Sequence, residues 1–500
     1  MSLLRMKKAS RQLPPRRPNL PVINLSIYMV VSHLSPASTP SRATVPAVFS
    51  SEARSALLKR AARDAMDYLE GEDKRGVAPT PQAVAALNSL RTALPPGPTN
   101  PETVLHLLHE YGSPATIAKT AGRNFGFVNG GCLPAALAAS WLVSTWDQNA
   151  AFFVQSPVAV TLEAIALEWV RELLGLPSGT GGAVVTGATM ANFSALAAAR
   201  HALLERVGWD VEADGLFGAP PITVVVGDEA HASVFKALGM LGLGRKRVVR
   251  VPVDGQGRMK ADSLPPLDDR TILCLQAGNV NTGAFDSASV IIPAARAAGA
   301  WVHVDGAFGL WAATSPEYHR WTKGFELADS WATDAHKWPN IGYDCGLALV
   351  REPQSLRAAM SMNAAYLVQG EQREPSYYNP ELSRRARGVE LWAGLRSLGR
   401  SGMAAIVERT STHARRFAAG LKAAGFEILN DVVINQVLVS FGSPERTLRT
   451  IARLQADGTC WCGSTVWQGK TAMRISVSSW ATTTEDVDRC LAAMIKAAQD

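Results

Sequence analysis

The run ADSWATDAHKWPNIGYDCG, residues 328–346, decides how this chain is read. It holds one lysine, Lys337, between His336 and Trp338, and no other Lys or Arg lies between Lys323 and Arg351. Most of the run is apolar or small. A lone ammonium is expensive to bury there unless it is paired or its chemistry is changed. An amine held as a Schiff base is easier to accommodate, so the segment suits a lysine that binds a carbonyl compound covalently. The plain alternative is a surface lysine at the start of a loop, paired loosely with Asp334.

Outward from the lysine, short β-branched runs alternate with Ala-rich helical stretches from about residue 125 on. Strands are predicted at 182–185, 222–226, 247–251, 271–275, 301–304 and 345–350. Helices are predicted at 191–204, 231–243 and 289–298. This alternation argues an α/β fold with a mostly parallel sheet and helices on both faces. Beyond it, residues 384–398 and 402–424 read as helices, 434–441 and 473–477 as strands, 445–456 as a helix, and a terminal helix starts at Thr484. That is a smaller α+β unit. Ahead of the sheet, residues 52–70 have helical spacing, with Leu58, Ala61, Ala62, Ala65 and Leu69 on one face. A proline-punctuated entry segment follows.

The formal net charge is +7, and the seven basic residues within positions 1–51 account for all of it. The remaining body carries no basic field, which argues against a nucleic-acid partner. Residues 1–50 read as a disordered basic extension. Their apolar run at 22–31 is interrupted by Asn24 and Ser26 and is too short to span a bilayer. The six cysteines are scattered and form no Cys-x-x-Cys pair, as expected of free thiols in a reducing cytoplasm. Cys460-Trp-Cys462 lacks the partners of a zinc site, so no metal is expected.

Several residues fit the needs of pyridoxal 5′-phosphate (PLP): an amine, a carboxylate for the pyridine nitrogen, a phosphate cup and a stacking group. Lys337 is the amine. Asp305 ends the apolar run Trp301-Val-His-Val-Asp, 32 residues ahead of Lys337. An acid there is costly without a cationic partner, which a protonated pyridine would be; a helix N-cap is the alternative. Val185-Thr-Gly187-Ala188-Thr189-Met-Ala-Asn192 runs from a strand through small residues into a helix, and such a turn favours an anion. His231, in Asp228-Glu-Ala-His-Ala-Ser-Val-Phe-Lys-Ala, stands at a helix start, where a cap or surface role is the plain reading.

In order and spacing, these motifs resemble the group II PLP-dependent amino-acid decarboxylases, a family that includes aromatic-L-amino-acid and glutamate decarboxylases. The likeness runs from about residue 124 to 486. The chain departs from the family's Ser-Gly-Gly-Ser/Thr-Glu-Ala-Asn turn, with Ala188 for the second glycine and Met190 for the glutamate. The resemblance implies the aspartate-aminotransferase-like fold type I, with a large domain around a seven-stranded sheet and a small C-terminal domain. It implies an N-terminal helical dimerisation segment at 51–123, a PLP-binding domain at 124–385, a small domain at 386–500, and a homodimer with its site at the interface. It further implies that His231 is the group stacked on the pyridine face, and it implies cofactor contacts from Gly187, Ala188, Thr189, Asn279 and His336. A carboxylate contact from Arg474 and a proton donor on the 364–383 loop follow in the same way. Tyr366, Tyr377 and Tyr378 lie in that loop, and position favours Tyr377 or Tyr378; packing is the alternative for both.

The expected reaction is decarboxylation of an L-amino acid to an amine and CO2. The alternatives are a PLP-dependent aminotransferase, aldehyde synthase or carbon–carbon lyase, or a PLP-binding protein without catalysis. Trp141, Trp146, Phe125 and Phe127 can line an apolar pocket, though core packing explains them as well. The substrate is not written in one sequence.

Overall fold

A computed structural model of the chain describes residues 51–362 and 373–499. The basic extension and Tyr366 therefore lie outside the described residues. Two compact units are present, Met1–Ala56 and Leu57–Asp500. The described part of the first is the start of the helix Ser51–Gly71. The second carries both sheets and the whole candidate site.

The large sheet is built from β1 (Gly181–Val185), β2 (Thr223–Gly227), β3 (Val249–Val251), β4 (Thr271–Gln276), β5 (Trp301–Asp305), β6 (Ser330–Asp334) and β7 (Gly346–Val350). Its order is β1-β7-β6-β5-β4-β2-β3. The pairs β6–β5, β5–β4, β4–β2 and β2–β3 are parallel, and only β7 runs against its neighbours. The fold is thus the mostly parallel, fold type I α/β architecture expected. β4 to β7 are buried throughout, which is why β4, β5 and β7 read as near-continuous apolar runs.

The smaller sheet, ordered β10-β11-β9-β8, is antiparallel. It contains β8 (Glu427–Ile428), β9 (Gln436–Ser440), β10 (Gly463–Trp467) and β11 (Lys470–Ser476). Two cores result. One surrounds the large sheet, with Val302, Val304, Trp331 and Leu347; the other joins Val437, Val439, Met473 and Ile475 to Phe417. Phe125 enters this second core and meets Phe417 edge-on at 5.1 Å.

The helix Arg387–Ala423 serves both cores: Leu391, Leu395 and Ile406 enter the first, Ala414, Phe417 and Leu421 the second. Two helices were expected here. The structure joins them across Gly399, whose φ of 60° and ψ of −174° interrupt the helix. Only glycine adopts that pair readily.

Candidate active site

The ends of β1, β2, β5 and β6 bring the site together, at the carboxyl edge where parallel sheets bind ligands. β1 runs into the turn 186–190 and the helix Ala188–Glu205. β2 leads to His231, which caps the helix Ala232–Met240 by accepting the Ser233 N–H at Nδ1. β5 ends on Asp305, and β6 ends on Asp334, three residues before Lys337. An open cleft of about 610 Å³ is lined by the 186–190 turn, His231, Ser233, Asp334, His336 and Lys337. Asp305 lies behind it, below His231.

Lys337 Nζ pairs with Asp334 Oδ2 at 2.9 Å, and 18% of its side chain is exposed. The other carboxylate oxygen, Oδ1, accepts the Ala188 N–H at 2.6 Å and lies 3.7 Å from His336 Nε2. His336 accepts the Cys345 N–H at Nδ1 and stacks on Tyr343 at 4.3 Å. Lys119 Nζ sits over that same tyrosine ring at 4.3 Å, and burial brings its amine down to about 8. Burial also lowers the pKa of His231 and of His336, so both rings are neutral at pH 7. For His231, the Lys337 and Arg474 charges add to the lowering, and Asp305 opposes it.

Asp305 is buried and accepts three hydrogen bonds: Ala307 N–H at Oδ1 (3.2 Å), and Asn192 Nδ2 (3.2 Å) and Ser233 Oγ (3.4 Å) at Oδ2. Among the described residues it makes no ion pair, so a buried carboxylate stands behind the cleft without a cation. A protonated pyridine supplies that cation. The 186–190 turn opens a helix of 18 residues, whose N-terminal N–H groups favour an anion, although Asp334 Oδ1 takes the Ala188 N–H. Gly187 is bare where a Cβ would stand 3.2 Å from His336 Cε1. These residues fit the cofactor: Lys337 for its aldehyde, Asp305 for its nitrogen, His231 for its face and the turn 187–189 for its phosphate.

Other expected residues lie elsewhere. Asn279 is buried, but its side chain is used within its own loop. It accepts from Asn281 N and Thr282 N and donates to Gln276 Oε1. Tyr377 packs edge-on to Phe152 at 6.3 Å with Arg357 over its ring. Tyr378 lies under Arg373 and joins apolar clusters beside β1. Neither tyrosine lines the Lys337 cleft of its own chain. Arg474 is held only by weak bonds to Val280 O and Asn281 Oδ1, and no carboxylate pairs with it among the described residues. Of the aromatic candidates, Phe125 is core, while Phe127 is 67% exposed and stacks on Trp461.

Two polar residues at the site, Asn192 and His303, were given no role in the sequence reading, and Asp334 was named there only as a loose partner of Lys337, a pairing that the structure shows. His303 was findable, since it stands two residues before Asp305 on one face of β5. Asn192 follows Ala188 by one helical turn.

Residues 118–442 match the pyridoxal-dependent decarboxylase conserved domain, well over half of the chain. The aromatic-L-amino-acid decarboxylase of Drosophila lebanonensis is 29% identical over 367 residues, covering 67% of this chain and 88% of that protein. The corresponding enzyme of Bacillus atrophaeus is 24% identical over 445 residues, covering 84% and 90%. The crystal structure of Oryza sativa TDC with PLP and tryptamine superposes with a TM-score of 0.82 at 22% identity, covering 90% of this chain and 98% of that one. The chain belongs to the pyridoxal-dependent decarboxylase family.

Proposed function

We propose that this chain removes CO2 from an L-amino acid as a PLP-dependent carboxy-lyase, and that it works as a homodimer in the cytoplasm. One observation carries the residue assignment: Lys337, His231 and the 186–190 turn line one cleft, and Asp305, with no ion pair among the described residues, shares a second pocket with His231 behind it. Bound there, PLP supplies an aldehyde for an amine and a conjugated ring that accepts the electrons left when CO2 departs. Lys337 Nζ would hold the aldehyde and yield it to the substrate amine. Asp305 would keep the proton on the pyridine nitrogen. The neutral His231 ring would support the ring of the cofactor. Arg474, whose guanidinium lacks a carboxylate, receives that of the substrate. Phe127, exposed and stacked on Trp461, offers flat apolar surface, so substrates with planar side chains lead the panel.

Helix Ser51–Gly71 supports the dimer: none of its residues is buried, and Leu58, Met66 and Leu69 stand exposed. All six cysteines are free and five are buried, in keeping with a reducing compartment. No described helix is long and apolar enough to cross a membrane.

A second reading, aldehyde production, is favoured by the packing of Tyr377 and Tyr378 away from the cleft of their own chain. The test measures amine, CO2, aldehyde and ammonia from a panel of L-amino acids. Wild type is compared with Tyr366→Phe, Tyr377→Phe and Tyr378→Phe. Amine and CO2 in equal amounts support decarboxylation. Aldehyde with ammonia moves the enzyme to the second reading. The variant that loses amine formation identifies the proton donor.

A further inference from the structure

Behind the cleft runs a line of buried polar side chains that the reaction as described does not use. It starts at Trp301 Nε1, which donates to Ser330 Oγ at 2.9 Å. Ser330 Oγ lies 2.9 Å from His303 Nδ1, and His303 Nε2 lies 2.8 Å from Asn192 Oδ1. Asn192 Nδ2 then lies 3.2 Å from both Asp305 Oδ2 and Ser233 Oγ. Ser233 Oγ in turn is 2.8 Å from His231 Nδ1. His303, Ser330 and Asn192 are fully buried.

The direction of every bond follows from chemistry. An ionised carboxylate only accepts, so the amide N–H groups of Asn192 face Asp305 and its carbonyl oxygen faces His303. That oxygen only accepts, so the His303 hydrogen is on Nε2 and Nδ1 is an acceptor. Ser330 must then donate to Nδ1, and its own oxygen takes the indole N–H of Trp301. The imidazole has room for one proton only, and burial agrees, lowering its pKa to about 3. All donors along the line point toward the site. At Asn192 the line forks, one N–H to Asp305 and the other to Ser233 Oγ; the single Ser233 hydroxyl hydrogen goes on to Asp305, since His231 Nδ1 already takes the Ser233 backbone N–H.

We propose that Asn192, His303 and Ser330 are positioning residues that fix the Asp305 carboxylate as an oriented anion and, through Ser233, the ring of His231. A hydrogen bond to the ionised form of a carboxylate favours that form. Bonds that polarise one another in a dry interior strengthen the last of them. The line therefore keeps the acid ready for a protonated pyridine and aligns two walls of the cofactor site at once. This inference rests on the reading that PLP occupies the cleft.

The test uses full-length wild type, Asn192→Leu, His303→Phe, His303→Gln and Ser330→Ala. PLP affinity is measured by fluorescence titration, the absorbance of bound cofactor is followed against pH, and each apo protein is melted. Wild-type binding comes first; its absence would sink the PLP reading itself. Given wild-type binding, Asn192→Leu and His303→Phe are expected to weaken PLP by about 10-fold and to move the pH midpoint of its absorbance. His303→Gln, which can both donate and accept, should recover part of each effect. Ser330→Ala removes one oxygen far from the cleft, folds as wild type, and should still shift the midpoint. Unchanged affinity and midpoint in folded Asn192→Leu or Ser330→Ala overturns the proposal.

Discussion

Lys337 and Asp305 could be marked from the chain alone because each is a charge in apolar company. Such positions are costly unless a partner is supplied. Asp334 was read only as a loose partner of the lysine because the rest of its work is geometric: its two oxygens meet groups far apart in sequence, the Ala188 N–H at a helix start and Lys337 Nζ after β6. Asn279 looked like a cofactor contact by position, yet its loop absorbs its hydrogen bonds. Two outcomes belong to this scale. Lys337→Ala should lower the rate of product release by about 1,000-fold or more while the protein stays folded, as activity and melting assays will show. Asp305→Asn keeps the shape but removes the charge that holds the pyridine proton. It should lower kcat by about 100-fold, and PLP titration should show weaker binding.

Among elements, most strands were legible because burial on both faces makes them continuous apolar runs. β6 was not, since Ser330, Thr333 and Asp334 interrupt its apolar character. Ser330 and Asp334 are satisfied by tertiary partners, Trp301 Nε1 and Ala188 N–H, that local pattern does not display, while Thr333 Oγ1 is buried without a partner among the described residues. The break at Gly399 was anticipated as a gap between two helices. Its conformation predicts a measurable penalty: Gly399→Ala has open space for the methyl group, so the cost is that of the backbone alone. Chemical denaturation should show a loss of about 1–2 kcal/mol. Gly346→Ala is harsher, because its Cβ would stand 2.4 Å from the Gly187 backbone. About 1–3 kcal/mol of stability and most of the PLP affinity should go together, as paired melting and titration will show.

For the whole molecule, stability should depend on pH through buried histidines. Burial lowers His303 to about 3 and also lowers His231, His336 and His413. The unfolded chain takes up these protons from about pH 6.5 downward, whereas the native chain resists until lower pH. Stability is therefore full above that point and falls as the pH drops toward about 3. Asp286, raised to about 6 by burial, works in the opposite sense between about pH 6 and 4. Melting temperatures from pH 7.5 to 5 should fall, and His303→Gln should flatten the slope. The two-layered organisation was legible in the switch from parallel α/β alternation to a smaller antiparallel unit. The entry of Phe125 into the second core was not, because it joins residues hundreds of positions apart. One strand ties these scales together. β7 lies between β1 and β6, and its Gly346 stands opposite both Val185, just before the phosphate turn, and Asp334, just before the lysine. Both walls of the cleft thus hang from a single reference bar. Thermal displacement of that bar carries the two walls the same way, so the gap between them is shielded as a difference signal is shielded from common noise.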